Sequence, residues 1–384
     1  MSTNVIISGA GLGGLTAALA LQRAGVPVKV YERAPALTEV GAGLSLGPNA
    51  TRILHALGLE SALREVCNTP DRLSAKHYQT GEIISEQVSR DYVKSYGAPY
   101  YQVHRADLMT VLSYAVLAND PSAIVLGHEI TGCDASQTGV EVHCANGTAA
   151  KGDVLIGCDG VRSVLRAKLW NMPPPAFLGY IAYRGLTPVS ALPEGLITPA
   201  SATFNGPERH LTRYLIRGGT IVNYVAFVQT PDWVDEGWSV TATVDEVLER
   251  FAGWAPEVQH LIRNTANGTC IKWGLFGRAP FDHWTKGRVA LLGDAAHPIL
   301  PFLGQGASMA IEDGMILARA LAEFSDPLEA LRRYEAVRRP RANTIVEMST
   351  EQGKRIHRAP SADYSVKTGL RPDIFKYDAV TEPI

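Results

Sequence analysis

The sequence is poor in cysteine: Cys67, Cys133, Cys144, Cys158 and Cys270 are the only five in 384 residues, and no two stand at CxxC or metal-ligand spacing. That scarcity argues against a disulfide framework, a zinc site and a dithiol redox centre, so no metal is expected, and a reducing cytoplasm fits. An excess of one charge is also missing. The 36 Lys and Arg against 38 Asp and Glu leave a net charge of -2, without the basic surplus that nucleic acid or an acidic membrane surface would call for. No stretch of 18 apolar residues occurs, so no membrane-spanning helix is expected. No basic segment followed by an apolar one and a cleavage site opens the chain, and a cytoplasmic location is the expectation. Internal repeats and long low-complexity runs are absent as well. What remains is 46% apolar and 19% charged residues, a composition that builds a sizeable core in one large domain with an insertion or in about two domains.

The stretch VIISGAGLGGLTAALALQRAGVPVKVYERA begins at Val5. Residues 5–8 read as a short buried strand. Residues 12–24 have helical leucine spacing, Gly25-Val26-Pro27 stops the helix, and 28–32 read as a second strand. Gly9, Gly11 and Gly14 fit GxGxxG in the strand–turn–helix setting that this motif requires. The first glycine permits the turn, the second lets backbone approach a pyrophosphate, and the third lets helix and strand pack closely. Glu32 ends the second strand, where an acid can accept hydrogen bonds from ribose hydroxyls. Its neighbour Arg33 can stack on an adenine. The pattern predicts a dinucleotide at the start of the helix.

Two later stretches repeat the theme. In KGDVLIGCDGVRSVLR, residues 153–157 read as a strand with Asp159-Gly160 at its carboxyl end, where open α/β sheets hold ligands. In KGRVALLGDAAHPILPFLGQGASMAIEDG, residues 289–292 read as a strand ending at Gly293-Asp294. A loop with Pro298, Pro301, Gly304 and Gly306 then feeds a helix from about residue 307.

In this order and spacing, the three motifs resemble the single-component FAD-dependent aromatic hydroxylases, the group of p-hydroxybenzoate and salicylate hydroxylases. GAGLSLGPNA, VHRADL and AYRGL resemble the subgroup acting on salicylate, 3-hydroxybenzoate or 6-hydroxynicotinate. The likeness runs to about residue 345. It implies an α/β fold: a Rossmann-like FAD-binding domain of the p-hydroxybenzoate hydroxylase type, with an inserted, mostly antiparallel substrate sheet and C-terminal helices. The expected division is 1–75, 98–178 and 275–345 for FAD, 76–97 and 179–274 for the substrate layer, and 346–384 as a C-terminal tail, irregular from Ala359.

The resemblance also assigns roles. Besides Gly9, Gly11, Gly14, Glu32 and Arg33, it implies that Arg105 contacts the cofactor near the pyrophosphate and ribityl chain. Asp159 matches an aspartate linked to FAD and to nicotinamide cofactor binding. Asp294 matches one that hydrogen-bonds the ribityl chain, and Arg166 supports the local fold. Pro301 and the backbone of Gly304, Gln305 and Gly306 line the flavin ring. The implied reaction consumes NADH or NADPH and molecular oxygen. A flavin 4a-hydroperoxide transfers OH to a phenolic aromatic or heteroaromatic acid. No separate nicotinamide domain is expected, and the chain is expected as a monomer or homodimer without nucleic-acid or membrane partners.

RHLTRYLIRGGTIVNYVAFV reads as a hairpin about Gly218-Gly219. His210, Thr212 and Tyr214 alternate and share one face. Two readings of that face stay open: a polar floor beneath a ring substrate, or the wet side of an amphipathic strand. The resemblance favours the first and makes His210 and Tyr214 the catalytic candidates, with Tyr183, Ser45, Pro301 and Phe302 also in the pocket. His297 and His104 read as structural. The chain departs from the pattern at Phe302, where salicylate and 6-hydroxynicotinate enzymes have histidine, and at Ser45, where the latter have histidine too. The 3-hydroxybenzoate 6-hydroxylases have glutamine at the place of Pro301. Each departure lies at the presumed pocket, so the cofactor follows from the resemblance and the particular substrate does not. A larger aromatic metabolite, or a flavin oxidoreductase without oxygen insertion, is the alternative. The basic run RRYEAVRRPRA reads as a solvated helix face.

Overall fold

The computed structural model describes residues 3–37, 42–231, 233, 240–357 and 372–384. Its first layer is a six-stranded sheet ordered Thr285–Lys286, Val289–Leu291, Val154–Gly157, Val5–Ser8, Val28–Glu32, Ile124–Leu126. All pairings are parallel except that of Thr285–Lys286, at one edge. Every residue of Val5–Ser8 and Val154–Gly157 is buried, as strands covered on both faces must be. The helices Leu12–Arg23 and Gly306–Glu323 pack against each other. A β-carbon on Gly314 would lie 2.8 Å from the Ala17 nitrogen, so this glycine sets how near the two helices come.

The second layer is an eight-stranded sheet ordered Val240–Thr243, Thr269–Gly277, Ala176–Pro188, Ile221–Gln229, Arg209–Ile216, Ser201–Gly206, Arg72–His77, Ile83–Val88. It is antiparallel except between Ser201–Gly206 and Arg72–His77. The expected hairpin is present: Arg209–Ile216 pairs with Ile221–Gln229, and Gly218 and Gly219 take positive φ in the turn. One sheet face buries Tyr183, Phe204, Tyr224, Phe251 and Trp254 in a core of its own. The other turns Tyr180, Ala182, Val225 and Phe227 toward Leu300 of the flavin-motif loop. A helix-lined α/β layer and an inserted, mainly antiparallel sheet are thus the two layers.

Several boundaries differ from expectation. The limits at 75, 178 and 274 fall inside the strands Arg72–His77, Ala176–Pro188 and Thr269–Gly277, all of which pair in the second sheet. Composition does not change where a strand enters a sheet, so the sequence has no mark there. The expected tail from 346 is partly helix: Pro327–Ile356 is one helix of 30 residues with Pro340 inside it. Residues 359–371 lie outside the described residues. Beyond them, Phe375 is buried among Tyr92, Tyr96 and Tyr100, and the Arg52 and Arg319 guanidiniums donate to the carbonyls of Tyr377, Ala379 and Glu382. Among the described residues no helix is long and apolar enough to cross a membrane.

Candidate functional site

A cavity of about 480 Å³ runs between the two layers. One end is made of backbone. Gly11, Gly160, Gly304 and Gly306 line it, and a β-carbon at any of them would meet no atom within 4 Å. Gly9 and Gly14 act differently. Gly9 has φ +104, and its β-carbon would lie 2.6 Å from the Cys158 carbonyl oxygen; that of Gly14 would lie 2.1 Å from the Gly9 oxygen. These two make the turn and the helix contact, and Gly11 keeps the approach open. The first turns of Leu12–Arg23 and Gly306–Glu323 both line the cavity, with the amides that favour an anion.

The acids around this cradle divide their work. Glu32 accepts from the Ala10 amide at 2.7 Å and the Ala34 amide at 2.9 Å, so it clamps the glycine turn and is not among the lining residues; Arg33 is exposed and lies off the lining too. Asp159 accepts from the Leu165 amide through Oδ2, while its buried Oδ1 has no partner. Arg166 is fully buried and donates to the carbonyls of Val161 and Ala295, tying the two motif loops together. Arg105 and Asp294 line the cavity. Asp294 is exposed to the cavity, yet the protein around it costs its charge hydration and raises its carboxyl, against the pull of His297, Arg105 and Arg166. An open glycine cradle, with Arg105 and Asp294 on the cavity wall and Asp159 just behind it, fits a ligand with a pyrophosphate and a polyol, as FAD has.

The other end of the cavity is polar and aromatic. His210, Thr212 and Tyr214 all line it, together with Ser45, Pro301 and Phe302, so the open question of the strand's face is answered: it looks inward. Thr212 shares a 2.9 Å hydrogen bond with Thr203. The Tyr214 phenol is raised chiefly by burial, against the neighbouring Arg184 charge, and the nearby Ser45 hydroxyl pulls both it and Tyr100 down. Gly43 allows this approach, because a β-carbon there would stand 2.6 Å from the Tyr214 ring. His210 stacks on Phe227 with centroids 4.4 Å apart. Burial, and then His357, hold it well below its ordinary pKa.

One expected pocket residue is elsewhere. Tyr183 is buried on the far face of the sheet, where its hydroxyl donates to Glu246 at 2.8 Å. Alternation is the reason: Tyr180, Ala182 and Arg184 take the cavity side, and Arg184 lines the cavity, its guanidinium 4.8 Å from the Trp273 ring centre. Gln305, expected to act through its backbone, uses its side-chain oxygen to accept from Asn49 at 3.1 Å. Sequence reading missed Arg184, Tyr100, Gln102, Ser201, Thr203 and Phe227. Once the phase of any one strand was known, period two would have found Arg184 and Phe227.

Behind the flavin-motif loop lies a buried ion network. Arg338 pairs with Glu312 and Asp313 at 2.8 Å each, with no exposed side-chain surface on any of the three. Arg341 adds to Glu312. Asp313 also accepts from the Gly293 amide and bonds His297, so His297 is a loop-shaping residue, as expected. The basic run read as solvated is thus half inside, because its helix packs against the two acids. Burial opposes the Asp313 charge, yet His297 and Arg338 hold its pKa at about 2. Removing one partner of a buried network leaves a charge unpaired, which destabilises by about 3–5 kcal/mol. Arg338→Met should therefore lower unfolding stability by that amount in urea titration; a change near zero would refute the network's role.

The histidines give a pH dependence. His357 is lowered to about 4, mainly by burial, and His210 is lowered as well. A histidine with a depressed folded pKa binds its proton more readily when unfolded, so stability falls as pH drops from about 6.5 toward about 4. Urea midpoints across that window should show the decline, and His357→Phe should flatten it.

A family profile described as an FAD binding domain matches residues 2–174 and 258–349. The 6-hydroxynicotinate 3-monooxygenase of Pseudomonas fluorescens is 38% identical over 91% of this chain and 90% of its own. The 3-amino-4-hydroxybenzoate 2-monooxygenase PtnB3 of Streptomyces platensis is 36% identical over 97% and 94%. Among solved structures, a salicylate hydroxylase substrate complex superposes with a TM-score of 0.82 at 28% identity, covering 98% of this chain and 92% of that one.

Proposed function

The chain belongs to this FAD-binding-domain family and is an FAD-dependent monooxygenase, and on that footing we propose that it hydroxylates a phenolic aromatic or heteroaromatic carboxylic acid, with NADH or NADPH as reductant. The observation that carries the reading is that a buried His210, its pKa held well below the ordinary value, and Tyr214 line the same cavity as the glycine cradle.

The backbone at Gly11, Gly160, Gly304 and Gly306 would hold the FAD, with Asp159, Arg105 and Asp294 as its polar partners. Bound FAD supplies hydride acceptance and oxygen activation. The protein's share is binding, shielding and proton handling. An electron-rich phenolate is attacked more easily than a phenol, so a neutral imidazole at His210 helps by taking the hydroxyl proton. The Tyr214 phenol, raised by burial, stays protonated and donates. Phe227 and Phe302 exclude water from the reacting ring. Arg184 supplies a positive charge for the substrate carboxylate.

Arg184→Gln should raise KM for an acid substrate by about 10–100-fold, the worth of one charge-assisted bond, with little change in kcat. The amide analogue of the substrate should not show the difference; equal effects on acid and amide would reject this role for Arg184. The reading as a whole is tested by NADH and NADPH oxidation with salicylate, 3- and 4-hydroxybenzoate and 6-hydroxynicotinate, with peroxide measured beside product. We expect one acid to stimulate oxidation with matching hydroxylated product. Stimulation by none of them would overturn it.

A further inference from the structure

We propose that His357 is a positioning residue that fixes His210 in the one tautomer whose Nε2 meets the substrate as a bare acceptor. The inference rests on the reading of His210 as the proton acceptor. It starts at the end of the helix Pro327–Ile356, where the Gly353 carbonyl accepts the backbone N–H of His357 at 3.1 Å. The same oxygen lies 2.8 Å from His357 Nδ1. A carbonyl only accepts, so His357 Nδ1 carries the proton, and its Nε2 in the neutral ring is bare.

That Nε2 lies 2.9 Å from His210 Nδ1. One proton must sit between them, and only His210 can provide it. His210 is therefore the Nδ1–H tautomer, and its Nε2 carries a lone pair. Among the described residues nothing bonds that Nε2, and the ring lines the cavity. The tautomer of each ring is thus set by the bond made at its other nitrogen.

The surroundings keep both rings neutral. Tyr180 packs 5.0 Å from the His357 ring, and Phe302 lies 5.3 Å from His357 and 5.6 Å from His210. Phe227 stacks on His210. Burial among these rings lowers both histidines, as described above. Gly353 completes the device: a β-carbon there would stand 2.4 Å from the Phe302 ring, so a larger residue would push Phe302 or the helix end out of place. When His210 Nε2 takes the substrate's hydroxyl proton, the ring becomes an imidazolium and keeps its Nδ1–H bond to His357. A neutral imidazole thus orients the base, in the place that a carboxylate holds in a Ser-His-Asp triad.

The test is ¹⁵N NMR of the histidine-labelled holoenzyme, with His210→Gln used to assign the signal. The wild type should show His210 protonated at Nδ1 and bare at Nε2. His357→Phe should move the population toward the Nε2–H form. It should also lower kcat for hydroxylation by about 10–100-fold, up to the lower end of what a general base contributes, with FAD content and KM unchanged. His357→Gln, whose side-chain carbonyl can accept from His210, should recover most of the rate. An Nε2–H tautomer in the wild type, an unchanged tautomer in His357→Phe, or equal rates in the Phe and Gln variants would overturn the proposal. The NMR result needs no substrate, so it stands or falls separately from the acid panel.

Discussion

Gly11→Val gives a folded protein that fails to retain FAD. Gly11 caps its helix at φ -72 and ψ -178, a conformation open to valine, and a β-carbon there touches nothing within 4 Å. Folding has no reason to object. The added methyls instead fill the space through which a pyrophosphate must approach the helix amides. Losing two charge-assisted bonds of about 1.5–3 kcal/mol each weakens binding by roughly 10²–10⁴-fold. Flavin titration with a thermal melt of the apoprotein checks both halves. Gly14→Ala is the contrast, since its β-carbon would overlap the Gly9 oxygen at 2.1 Å: it should damage the fold itself. A Gly11→Val protein that purifies with a full complement of FAD would sink the assignment of the cradle.

His210→Phe gives the second large effect. The flat ring preserves the stack on Phe227 and its place in the aromatic wall, so folding and FAD binding should hold. What is lost is the acceptor for the hydroxyl proton, and hydroxylation should fall by about 10²–10⁴-fold. NAD(P)H oxidation should continue with peroxide in place of product, because reduction does not need that proton transfer. Parallel assays of product and peroxide read this directly. An unchanged hydroxylation rate would remove His210 from the chemistry and shift attention to Tyr214.

Much of the FAD layer was legible because its signals are local. Gly9, Gly11 and Gly14 lie within six residues of one another, and the strands and helix around them follow from short-range periodicity. The hairpin about Gly218-Gly219 and the shared face of His210, Thr212 and Tyr214 were legible for the same reason. Glu32 shows the limit even here. Its place at the end of the second strand suggested a ribose partner, yet in the fold its two oxygens accept from the Ala10 and Ala34 amides, which no local pattern signals.

By itself, then, the sequence determined the strand–glycine–helix units, the α/β class and which residues of each strand share a face. The tertiary structure alone decided which face meets the cavity. Period two is symmetric between the two sides of a sheet, so Tyr183 and Arg184 could not be told apart until the neighbouring layer was in place. It also decided every pairing that closes over a long stretch of chain. His210 and His357 meet across 147 residues, Arg338 reaches two acids on another helix, and Phe375 packs against Tyr100. Such contacts are chosen by the packing of whole layers, and no local pattern of residues carries them.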